Sequence, residues 1–78
     1  MGRPVKRSLT LAGHRTSVSL EPEFWDAFRE IAEARGQALN ALAAEIDRAR
    51  GLETGLATAI RLFVLRELRG RAAERGSP

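Results

Sequence analysis

The sequence predicts a mainly α-helical domain with one short β-strand, and three observations carry that fold class. In HRTSVSLEPEFW, residues 14–25, Thr16, Val18 and Leu20 fall on one side of an extended chain while Arg15, Ser17 and Ser19 fall on the other. Such alternation is the signature of a half-buried strand. After Pro22 the apolar spacing lengthens to the helical period and does not return to two. Finally, 78 residues bury only a modest core, and the chain has no cysteine with which to staple it. A lone strand leaves a row of backbone groups that invites pairing with another chain. A homodimer is therefore expected, with Thr16, Val18 and Leu20 in its core.

The elements follow in chain order. Residues 1–7, MGRPVKR, combine Gly, Pro and base and are expected to form a flexible basic arm. Residues 8–12, SLTLA, also alternate and offer a further strand turning at Gly13-His14, but Gly-His is a weak hairpin signal, so the fold class rests on one strand. The first helix begins at Glu21-Pro22, because proline suits the first helical position. Phe24, Phe28 and Ile31 form its apolar face, Glu23, Asp26, Glu30 and Glu33 the opposite stripe, and Gly36 stops it. A second helix follows the break RGQA, with Leu39, Leu42, Ile46 and Ala49 at helical spacing and Gly51 at its end. Leu39, Leu42 and Ile46 join the expected dimer core. A third helix spans about 55–70, with Leu56, Ile60, Phe63, Val64 and Leu68 on one face and Leu62 and Leu65 on a second. So wide a stripe implies burial on two sides, one of them against another chain. Residues 8–70 are thus the domain, and 71–78 a frayed tail.

Several function classes are excluded or disfavoured. No apolar run approaches the roughly 20 residues that a membrane helix needs, and no apolar signal core follows the basic start. A cytoplasmic location is expected, with no membrane partner. With no cysteine and His14 the only histidine, neither a metal site nor a cofactor is expected. The carboxylates of the first helix have no nucleophile or metal partner near in sequence and read as a solvated face. No enzyme is expected.

Net charge is +3, but its distribution is more telling. Residues 1–15 carry Arg3, Lys6, Arg7 and Arg15 without an acid, whereas residues 21–33 carry Glu21, Glu23, Asp26, Glu30 and Glu33 against Arg29. A polyanion can approach only the first half.

A strand ending in LEP, an amphipathic helix, the break GQALN and a second helix together resemble the ribbon-helix-helix family of bacterial DNA-binding proteins, over residues 14–50. The longer pattern from SLTLAGHRTSVSLEP to AIRLFVL looks like a subfamily with an added third helix. The resemblance implies an intertwined homodimer in which the strand pairs with its own copy, and a two-stranded ribbon that enters the major groove of double-stranded DNA. It further implies a transcriptional regulator whose base contacts are Arg15, Ser17 and Ser19. Phosphate contacts would come from Lys6 and Arg7 in the arm and from Gln37, Ala38 and Asn40 at the start of the second helix. Ala38 departs from the family pattern, which has a capping serine or threonine there.

The competing expectation is an antitoxin-like or accessory interaction module that engages a protein partner, or builds a higher assembly, through Leu62 and Leu65. The plainer readings are a solvated charge for Arg15, the wet side of a strand for Ser17 and Ser19, and core or interface for Trp25.

Overall fold

A computed structural model describes residues 3–76. The outermost residues of the expected arm and tail, 1–2 and 77–78, lie outside the described residues. The element order is β1 (Val5–Leu11), β2 (His14–Leu20), α1 (Pro22–Ala34), α2 (Leu39–Ala49) and α3 (Leu56–Gly76). No helix among the described residues is long and apolar enough to cross a membrane.

The expectation of one strand is corrected. β1 pairs antiparallel with β2 inside the same chain, from Val5 opposite Leu20 to Leu11 opposite His14. The hairpin begins at Val5, inside the segment expected to be a flexible arm. It turns at Ala12-Gly13, where both residues take positive φ, 50° and 83°. A two-residue turn of that hand matches the twist of paired strands. Alanine pays a steric cost there that glycine does not. β2 thus has a strand partner within its own chain.

α1 starts with Pro22 at its first position and ends in a left-handed Gly36, φ 65°. Gly36 N–H donates to Glu33 O (3.0 Å) and Gln37 N–H to Ala32 O (2.9 Å), which satisfies two carbonyls of the last turn. α3 runs on through Gly76, past the residue at which its apolar stripe ends. Ala72, Ala73 and Glu74 are good helix formers and sustain it without burial.

The core lies between the inner face of the hairpin and the three helices. Leu9, Leu11, Val18 and Leu20 come from the strands, Phe28 and Ile31 from α1, Leu42 and Ile46 from α2, and Ile60 and Val64 from α3. Phe28 sits at the centre, edge-on to Phe63 (6.4 Å between centroids) and tilted against Trp25 (6.3 Å). Each such side chain contributes about 1.5–3 kcal/mol when fully buried. Four of the residues assigned to a dimer core, Val18, Leu20, Leu42 and Ile46, are buried here in the chain's own core, and Leu39 packs against it. Thr16 is half-buried.

Candidate nucleic-acid interface

Because side chains alternate along a strand, the hairpin register fixes which residues share a face. Pairs Lys6–Ser19, Ser8–Ser17 and Thr10–Arg15 lie on the side opposite Leu9, Leu11, Val18 and Leu20. All six are exposed. The face therefore carries two cations and four hydroxyls, with neither an acid nor a hydrophobic residue among them.

The structure brings Arg15, Ser17 and Ser19 together as expected from β2, and adds Ser8 and Thr10 from β1. The alternation of SLTLA already held that signal, but only the register places those two beside their β2 neighbours. Lys6 joins the same face, opposite Ser19. Arg7 does not. One residue along the strand it turns to the core side, where its guanidinium lies 5.3 Å from the centre of the Trp25 ring. Its Nε is buried without a hydrogen-bond partner, and the cation–π contact offsets part of that cost.

The two outer edges of the ribbon are each held by a helix. On the β1 edge, Thr10 N–H donates to Asn40 Oδ1 at 3.1 Å, tying the first turn of α2 to the strand. On the β2 edge, Arg61 of α3 donates to Ser19 O (3.3 Å) and to Glu21 Oε1 (2.9 Å). The hydrogen bond from Arg61, then one from the backbone of Glu21 itself, then the charge of Arg61 hold the Glu21 carboxyl below the usual glutamate range. The Glu21 carboxylate is thereby paired with Arg61 at the end of the ribbon closest to the acidic helix.

Of the residues expected at phosphates, Ala38 caps α2 with extended backbone and no side-chain cap. The first N–H groups of α2 have no intrahelical partner. Gln37 is engaged by Arg35 (3.1 Å) and by Glu45. Asn40 spends its carbonyl on Thr10, so it serves as a strut for the ribbon, a role no sequence pattern announced. The acidic stripe of α1, Glu23, Asp26, Glu30 and Glu33, is exposed on a different element from the hydroxyl face.

No curated protein and no solved structure gives a significant match to this chain. A family model described as a ribbon-helix-helix domain does match, over residues 4–68, from just before the hairpin to the last large leucine of α3. With hairpin, helices and match in agreement, the chain belongs to the ribbon-helix-helix family.

Proposed function

We propose that this protein binds double-stranded DNA as a non-catalytic transcriptional regulator and sets its two-stranded ribbon into the major groove. Ribbon-helix-helix proteins are generally DNA-binding regulators that act as dimers and are typically not enzymes. The observation that carries the reading to this chain is the composition of the outward ribbon face. It offers Lys6 and Arg15 with four hydroxyls, and nothing that repels phosphate or avoids water. The major groove is wide enough for such a ribbon and presents donors and acceptors to it. Arg15 suits guanine, which takes two hydrogen bonds from one guanidinium, while Ser17 and Ser19 both donate and accept. The free N–H groups at the start of α2 suit a phosphate beside the groove. Arg7, seated on Trp25, belongs to the scaffold instead. A cytoplasmic location fits such action on DNA.

A homodimer fits this reading without a shared ribbon. Each ribbon edge carries a side-chain hydrogen bond, with Asn40 on one side and Arg61 on the other, while α3 leaves Leu62, Leu65 and Leu68 exposed. Those leucines also favour a second reading, an accessory module that grips another protein through α3. Beside them a hollow of about 300 Å³ lies between the end of α2 and α3, bordered by Phe63, Arg50 and Arg66.

The test is binding to random duplex pools at low and physiological salt. Sequence-selective binding is expected, with log K falling by about 0.9 per phosphate contact for each tenfold rise in salt. A folded protein that binds no duplex at low salt would overturn the proposal and leave the interaction module.

A further inference from the structure

The two strands of the hairpin repeat one another. β1 reads VKRSLTL and β2 reads HRTSVSL. Position by position, both run cation, hydroxyl, hydroxyl on the outward side: Lys6, Ser8, Thr10 in one and Arg15, Ser17, Ser19 in the other. Their inward sides end alike, in Leu9-Leu11 and Val18-Leu20, all buried. Burial along the two strands follows the same order at every position.

The register converts this repeat into symmetry. Ser8 stands opposite Ser17, at the middle of the outward face. A two-fold axis through that pair exchanges Lys6 with Arg15 and Thr10 with Ser19. The antiparallel ladder has that local axis in any hairpin; here the side chains obey it as well. The centre is low, because two serines meet there, and a cation stands at each end on opposite strands.

We infer that β1 is a second DNA-reading strand, equivalent to β2, and that one chain reads a short inverted repeat through Lys6, Ser8 and Thr10 as well as Arg15, Ser17 and Ser19. The inference rests on the DNA-binding reading above. A face that meets only water has no need to exclude acids from both strands or to repeat their hydroxyls in register. Successive outward rows are about 7 Å apart, against about 3.4 Å per base pair. The three rows therefore span about five base pairs, with Ser8 and Ser17 over the centre. Hydroxyls at the centre donate or accept with either strand of the duplex, and the Thr10 methyl group can meet a thymine methyl. Asn40 holds the Thr10 backbone at the ribbon's edge and leaves the Thr10 side chain on the outward face.

The experiment selects preferred duplexes from a random pool with the parent and with Lys6→Ala, Thr10→Ala, Ser8→Ala and Arg15→Ala, each checked for an unchanged thermal melt. The parent is expected to select an inverted repeat of about five base pairs per chain. Arg15→Ala relaxes preference about tenfold or more at one outer base pair, and Lys6→Ala relaxes the mirror-related one. Ser8→Ala acts at the centre, and Thr10→Ala acts beside the pair that Arg15 reads. If Arg15→Ala changes preference but Ser8→Ala and Thr10→Ala do not, and Lys6→Ala weakens all duplexes alike, β1 is not a reading strand, although the DNA reading stands. If the folded parent binds no duplex, both fall together.

Discussion

The hairpin and α3 both leave one side to solvent, and what they leave is opposite in chemistry. The ribbon turns Lys6, Ser8, Thr10, Arg15, Ser17 and Ser19 outward, while α3 turns out Leu62, Leu65 and Leu68, between 39% and 48% exposed. Each element also has a buried side, Leu20 in the ribbon and Ile60 in α3, both wholly inaccessible. Inner faces of the two elements serve the same core, so they differ only in what they offer outside. A hydroxyl surface loses little by staying wet, whereas exposed leucines gain from being covered. The first is suited to a polar, hydrated polyanion and the second to a protein surface.

The sharpest break in that comparison lies within the ribbon itself. Leu20→Asp should abolish folding, since an unpaired charge in the core costs several kcal/mol, much of the stability of a small domain. Ser17→Asp, three residues away on the other face, should shift stability by no more than about 0.5 kcal/mol while weakening DNA binding through phosphate repulsion. Circular dichroism melts with duplex titrations check both. Melting of the serine variant with survival of the leucine variant would invert the assignment of faces.

For α3 the expected effect is on assembly. Sedimentation at low micromolar concentration should give twice the chain mass for the parent. Leu62→Glu with Leu65→Glu should give the single-chain mass with the melt of the monomer fold retained. A double variant that remains dimeric places the seam elsewhere.

A smaller effect is expected at the turn. Ala12→Asn supplies a residue that accepts positive φ before Gly13, and should raise stability by about 1 kcal/mol. An unchanged or lower melting midpoint would mean that the left-handed Ala12 is not where the hairpin loses stability.

The smallest effect concerns pH. Glu21 has its pKa lowered by Arg61, so the contribution of their pair is present above the ordinary glutamate value and is lost as pH falls through the lowered one. Arg61→Ala should lower the melt at neutral pH, and the gap from the parent should narrow in acid. A gap that stays constant with pH would assign the role of Arg61 to its bond with Ser19 O and its packing on Phe24.

Which parts were legible in the sequence follows from how local their signals are. β2, α1 and α2 announce themselves by clean alternation, by Pro22 at a helix start and by Gly36 at a helix end. β1 was half visible, because Arg7 interrupts the apolar side of VKRSLTL. The Trp25 ring, eighteen residues on, offsets part of the cost of a cation there. The sequence offers the turn one residue late, at Gly13-His14, for a related reason: alanine carries no preference for the left-handed conformation it holds at position 12. Outward β2 residues were readable from their own strand, whereas Ser8 and Thr10 needed the register. The hydrogen bond of Asn40 to Thr10 N–H spans thirty residues and depends on how α2 docks on β1, which no local pattern encodes.

The turn at Ala12-Gly13 has a consequence for dose. Strands on separate chains meet only as often as their concentration allows, and a ribbon built from them dissolves on dilution. Two residues of covalent link hold β1 beside β2 at an effective concentration of millimolar or higher, whatever the number of molecules present. A cell with a few copies of this protein would still contain finished ribbons. What then depends on the number of molecules is the pairing of chains through α3, which would join two ribbons already formed.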